Sequence, residues 1–185
     1  MTPRPAAPPP LAVLQHLVNT RELLENHDDL TAPAGLVAWA EAEGLPCPPR
    51  PTQADLTRVR RFREALRQLL HRGEGAPAAA AELNGELART GTRPLLHAGP
   101  PGTEFTGDAT TPLDVAITRV LATLITASLD GSLSRLKICG AEDCLWAYYD
   151  RSPNAASRWC ETSVCGARHK MRAYRARQAA AAQPS

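Results

Sequence analysis

The chain has 185 residues, of which 43% are apolar, 22% charged and only 4% aromatic. That composition fits a folded domain with a real core and excludes a disordered or fibrous chain, and abundant Ala, Leu and Arg favour helix over sheet. The net charge of +2 conceals a split: residues 1–150 sum to −4 and residues 151–185 to +6, so only the C-terminal end suits a polyanionic partner.

No run approaches 18 uninterrupted apolar residues, so no membrane span is expected. The first ten residues are proline-rich with one arginine and no apolar core, unlike a secretory leader. The expectation is a cytoplasmic protein, where closely paired cysteines serve metals more often than disulfides.

Residues 1–9 read as a flexible lead-in. Leu11, Leu14, Leu17, Val18 and Leu24 recur at helical spacing and predict a helix over 11–26, broken by Asp28 and Asp29. A second helix is predicted over 33–43, with Leu36, Val37 and Trp39 apolar and Gly44 as its C-cap. Pro46-Cys47-Pro48-Pro49 enforces a loop and leaves Cys47 a free thiol. Thr52-x-x-Asp55 has capping-box spacing and opens a long amphipathic helix over 52–72. Its apolar face is Leu56, Val59, Phe62, Leu66, Leu69 and Leu70, and Arg58, Arg60, Arg61, Arg63 and Arg67 are assigned to its outer surface.

Gly73-Glu74-Gly75 stops that helix, and another follows over 77–89 with Leu83 and Leu87 at i, i+4. Between 93 and 110 the pattern changes to two short strands around a Gly/Pro turn. Thr111-Pro112 then opens a strongly apolar helix to 129, expected to be the buried central helix, with proline at its favoured first position. Residues 133–138 read as a short extended link.

The link leads to Cys139-x4-Cys144, and fifteen residues later to Cys160-x4-Cys165. Two short-spaced pairs suit one closed, structural, tetrahedral Zn2+ site. Two disulfides or unrelated thiols fit the paired spacing less well, and the spacings do not match the common iron–sulfur patterns. His169, four residues after Cys165, is an alternative ligand, but four cysteines already fill a zinc shell. Gly140 permits a tight knuckle whose N–H groups face the thiolates. Residues 145–149 have strand character and are expected to return through a turn at 150–154 to 157–159, with Asp150 and Arg158 able to pair across that hairpin. Trp146, Tyr148, Tyr149 and Trp159 are read as a mini-core, with base stacking as the alternative. Thr162 or Ser163 is placed to cap a final helix from near 165 to about 181, with Arg168, Arg172 and Arg175 on one face at i, i+4 and i+7.

The motifs Cys139-x4-Cys144, Tyr148-Tyr149-Asp150-Arg151-Ser152, Arg158-Trp159-Cys160 and Cys165-Gly166-Ala167-Arg168, with Lys170, resemble the CGNR zinc finger. Ala167 stands where that family's name has asparagine. Upstream, Leu17-Val18-Asn19-Thr20, Leu36-Val37-Ala38-Trp39 with Gly44-Leu45, the arginine-rich helix and Leu83-Asn84 are similar to the ABATE domain found before this finger. The resemblance implies a largely bacterial family of stress-responsive transcription regulators. The fold expected is mainly α: a helical N-terminal domain with a small β-hairpin over 10–132, a treble-clef-like four-cysteine zinc finger over 133–180, and a tail at 181–185.

Three functions compete. The first is a DNA-binding transcription regulator using Arg158, Arg168, Lys170, Arg172, Arg175 and Arg177. The second is a sensor whose effector pocket is lined by Asn19, Thr20, Arg21 and Arg93, with His97 nearby; ordinary capping and surface polarity explain those residues equally well. The third is a zinc-stabilised protein-interaction adaptor. A homodimer is compatible with each. An enzyme is not expected: there is no glycine-rich phosphate loop, no G-x-S-x-G and no His/carboxylate cluster.

Overall fold

The computed structural model describes residues 6–96 and 103–181. Six helices and three two-stranded antiparallel hairpins follow in the order α1 (Ala12–Asn19), β1 (Arg21–Glu22), β2 (His27–Asp28), α2 (Pro33–Ala42), α3 (Gln53–His71), α4 (Ala76–Thr90), β3 (Arg93–Leu96), β4 (Thr103–Thr106), α5 (Pro112–Leu129), β5 (Leu136–Ile138), β6 (Ala147–Tyr149) and α6 (Ala167–Ala181). The expected mainly helical architecture is present. His97, named above with the sensor residues, lies outside the described residues.

Local chemistry sets the element ends. Thr52 and Asp55 form a full capping box at α3, and Thr111 and Asp114 form a second at α5. α3 ends on Arg72, which adopts the left-handed conformation one residue before the predicted glycine stop. α5 is long and apolar enough to cross a membrane by length and composition, with mean hydropathy 1.4, but half of it is buried. Its capping residue Asp114 takes a hydrogen bond from Arg58 at 2.7 Å, and its apolar side chains join the core, so it packs as a core helix.

Two expectations fail, and for one reason. The first helix stops at Asn19 instead of running to 26, and two arginines assigned to the surface of α3 are buried: Arg63 is 1% exposed and Arg67 2%. Arg67 donates to the carbonyl oxygens of Val18 at 2.7 Å and Arg21 at 3.4 Å, so the groups a longer α1 would use internally are already bonded. Arg63 forks onto both oxygens of Asp28, at 2.6 and 2.9 Å, and donates to the Thr20 hydroxyl at 3.1 Å. The chain therefore leaves the helix and turns through β1–β2. Asp28, read as a helix breaker, is the acceptor that balances a buried guanidinium. Burial opposes ionisation of Asp28, but the Arg63 guanidinium and the Leu30 N–H hold its carboxyl below the ordinary range.

The core does not end where the helices end. Leu136, Ile138 and Ala147 of the β5–β6 hairpin are buried in one apolar cluster with Leu14, Leu17, Val18, Leu66 and Leu121. Side chains of α1 and α3 complete the seam. Asn19 accepts from the Ala147 N–H at 2.8 Å and donates to the Ala147 carbonyl at 2.9 Å. Gln15 donates to that carbonyl at 3.2 Å, and Arg67 donates to the Leu145 carbonyl at 2.7 Å.

Replacing Arg63 by Met leaves the Asp28 carboxylate with the longer Arg21 contact at 3.7 Å in place of the fork and should cost about 3 kcal/mol in urea unfolding at neutral pH. Asp28 titrates below its unfolded value, so its contribution is complete above about pH 4 and is lost as pH falls further. The deficit of Arg63→Met should therefore shrink in unfolding curves taken below about pH 4. Asn19→Ala leaves the buried Ala147 N–H unpaired and should cost about 2–4 kcal/mol in the same measurement.

Candidate metal centre and basic helix

The first cysteine pair sits in the connection between β5 and β6. Cys139 closes β5, its N–H donating to the Trp146 carbonyl at 2.9 Å. The chain reverses through a tight turn in which Cys144 N–H donates to Ala141 at 2.9 Å. N–H groups of Ala141 and Cys160 reach the Cys139 sulfur, and that of Trp146 reaches the Cys144 sulfur, as expected of a knuckle. The second pair comes from a separate segment: Cys160 at a bend and Cys165 in a single wide helical turn, Thr162–Gly166, that leads into α6.

The strand pairing differs from the expected one. β6 pairs with β5 across the knuckle, Leu136 opposite Tyr149 and Ile138 opposite Ala147, and not with 157–159. The returning segment touches the knuckle through one backbone bond, Gly140 N–H to the Arg158 carbonyl at 2.9 Å. No side chain caps the final helical turn, so neither Thr162 nor Ser163 plays the predicted part.

All four Sγ atoms lie within 4.8 Å of one another, and Cys144–Cys160 and Cys160–Cys165 are each 3.7 Å apart. A tetrahedron of thiolates at about 2.3 Å from zinc has edges of about 3.8 Å, so the sulfurs fit one such ion and leave no open coordination position. Three of the four cysteines are buried. Without a cation this crowding resists ionisation: hydrogen bonds that the Cys160 S–H gives to Cys139 and Cys144, and burial, push the Cys160 thiol far up. A divalent ion reverses that penalty. Leu24, Trp146, Trp159 and Val164 pack around the sulfurs, and Leu24 comes from the β1–β2 hairpin of the helical part. His169 is outside the group; its ring packs on Trp159 with centroids 4.9 Å apart.

The loop after β6 is organised by Asp150, which is 2% exposed. It accepts from Lys137 Nζ at 2.8 Å, the Ser152 hydroxyl at 2.6 Å and N–H at 2.9 Å, and the Ser157 N–H at 2.9 Å. Burial works against its charge, but Lys137 and these donors win and hold the carboxyl well below the usual range. Lys137 therefore takes the place expected for Arg158. Arg158 instead lies over the Trp159 ring at 5.6 Å. Gly166 sits where Trp159 passes: a Cβ there would lie 3.1 Å from the indole Cδ1.

The basic residues separate into two groups. Arg168 and Arg172 both ion-pair with Asp143 in the knuckle. Lys170, Arg175 and Arg177 are exposed on α6 and have no ion pair among the described residues, and Arg158 is exposed beside them. A cleft of about 380 Å³ between knuckle and helix is lined by Arg158, His169 and Arg172, with Glu142 at its edge.

The four residues expected to share an effector pocket are split. Asn19 and Thr20 line one cavity, while Arg21 opens onto a groove along α3 and α4. Arg93 is on the β3–β4 hairpin, bonded to Asp108 at 2.7 Å. Asn19 spends both amide atoms on Ala147, and Thr20 donates to Leu17 at 2.7 Å while accepting from Arg63.

The ABATE family, described as "Putative stress-induced transcription regulator", matches residues 11–130, and the CGNR zinc finger matches residues 135–178. The chain belongs to the ABATE family and carries a CGNR zinc finger after it. No curated protein matches the chain. The ABATE opening motif Leu17-Val18-Asn19-Thr20 thus has a structural reason: two core residues, the clamp on the finger's β6, and a partner for buried Arg63. The residues missed by sequence reading are Lys137, Asp143 and Arg67. Only Arg67 left a signal, since Val59, Arg63, Leu66, Arg67 and Leu70 share one helical face.

Chelation of the zinc-loaded protein, or Cys165→Ser, should free the segment from the knuckle to α6 while α3 and α5 stay folded. Hydrogen exchange should show protection lost over residues 139–166 and kept in α3 and α5.

Proposed function

We propose that the protein is a DNA-binding transcription regulator whose zinc-held finger presents α6 to the duplex, with Cys139, Cys144, Cys160 and Cys165 as the zinc ligands. The observation that carries this reading is the set of exposed cations on and beside α6: Arg158, Lys170, Arg175 and Arg177, none in an ion pair among the described residues. By helical spacing Lys170 and Arg177 share one side of α6 and Arg175 lies on the side of Arg168 and Arg172, so the helix carries cations around its surface, on a chain whose first 150 residues are net acidic. Arg168 and Arg172 have a different part. Their shared partner Asp143 ties the start of α6 to the knuckle, so the metal site fixes the direction in which the remaining cations point. Arg158 and Arg172 line one cleft, where a backbone phosphate would meet both.

One observation favours the adaptor reading. Met171 and Tyr174 on α6 are 51% and 52% exposed, an apolar pair that a protein partner would cover.

The experiment is a fluorescence-anisotropy titration of the zinc-loaded chain with duplex DNA at several salt concentrations. Log affinity should fall linearly with log salt, and Arg175→Glu with Arg177→Glu should weaken binding about tenfold or more and flatten the slope by about 2. Asp143→Asn loosens the tie between α6 and the knuckle and should weaken binding. A flat salt response, together with recovery of an acidic protein partner that Met171→Glu abolishes, would favour the adaptor instead.

A further inference from the structure

A cavity of about 550 Å³ opens between α1, α2 and the finger's Trp146. It exists because α2 contributes small side chains, Gly35, Ala38 and Ala42, along the side where the indole rings of Trp39 and Trp146 form walls. The size is that of a small-molecule site. Its position is at the seam: Gln15 and Asn19, which hold Ala147, line it from the helical part, and Trp146 lines it from the finger.

The wall chemistry restricts the occupant. Among the described residues no lysine or arginine lines the cavity. The one ring that can carry positive charge, His16, is bonded to the Glu43 carboxylate at 2.7 Å. The acidic residue of the lining is Asp29, whose carboxylate is 56% exposed and bonded to His27 at 2.7 Å. Indole faces attract cations, by about 0.5–2 kcal/mol each depending on desolvation. An anionic ligand would meet two tryptophans and Asp29, with no lysine or arginine among the described lining residues.

We propose that this cavity binds a flat organic cation, held jointly by the helical part and the finger. The small-residue side supplies a flat surface, the indoles supply dispersion and cation–π attraction, and Asp29 supplies the counter-charge. Because the occupant touches Trp146 together with the residues that clamp β6, it binds the docked finger more tightly than a displaced one, which is the differential affinity an effector requires. Binding itself stands apart from the DNA reading of α6.

The test is a fluorescence titration of the zinc-loaded, DNA-free chain with berberine, a flat aromatic cation, and with 2-naphthoate as a flat anion. Berberine should bind saturably and naphthoate should not. Ala38→Trp, which fills the cavity from an exposed position of α2, should weaken berberine more than about tenfold, and Asp29→Asn by about threefold to tenfold. Circular dichroism confirms that both variants fold. Absence of saturable berberine binding, equal binding of naphthoate, or unchanged affinity in folded Ala38→Trp would each overturn the proposal.

Discussion

The structure depends on how one strand edge is satisfied. Among the described residues β6 has β5 on one side and no strand on the other, so the outward N–H and carbonyl of Ala147 need partners in a buried place. A third strand would supply them; here a single side-chain amide does, Asn19 giving one donor and one acceptor in the pattern a neighbouring backbone would offer. A hydrophobic contact alone would let β6 slide. The paired amide fixes its register to one residue, and the knuckle that hangs from β5 and β6 inherits that position.

Two buried arginines extend the constraint. Arg67 links three carbonyls, those of Val18, Arg21 and Leu145, and Leu145 adopts a left-handed backbone one residue after Cys144. A non-glycine residue in that conformation costs about 1 kcal/mol, and the arginine bond to its carbonyl is what keeps it there. Burial, with the charges of Arg63 and Arg21, pulls the Arg67 guanidinium below its ordinary value against the opposing pull of Glu64. Such a network is a poor route to raw stability, since apolar residues of equal volume would pack without desolvating charge. Its effect is directional: helix α3 can satisfy its own arginines only with α1, the β1–β2 hairpin and the finger in one arrangement.

Much of this was legible in the chain. The Thr52–Asp55 capping box, the α2 and α4 boundaries, the β3–β4 hairpin, the apolar α5 and the clustering of four cysteines follow from local patterns, because each depends on residues close in sequence. What was hidden depends on long-range partners. Nothing near Arg63 says that Asp28 is its acceptor, and a polar residue at the end of a helix, such as Asn19, reads as a cap or a ligand contact until the strand it serves is known. The finger hairpin was misplaced for the same reason: 157–159 and 136–138 were both extended and near the cysteines, and only the core burial of Leu136 and Ile138 decides which one β6 joins. Position 167 is a milder case. The family name has asparagine there; in this chain Ala167 is exposed and its N–H is bonded within the preceding turn.

These contacts also decide what the metal site can transmit. Leu24 and Trp146 touch the cysteine cluster from opposite sides of the seam, and Asp143 lies one residue before Cys144 while binding two arginines of α6. The direction of α6 is thus set by the same short segment that carries two of the sulfurs. The helical part reaches that segment through Arg67 at Leu145 and Asn19 at Ala147, immediately on its C-terminal side. The packing of α1 thus bears on β6 and the end of the knuckle through these bonds, while Leu24 touches the cysteine cluster directly. The cavity beside Trp146 lies where Gln15 and Asn19 make the first of these connections.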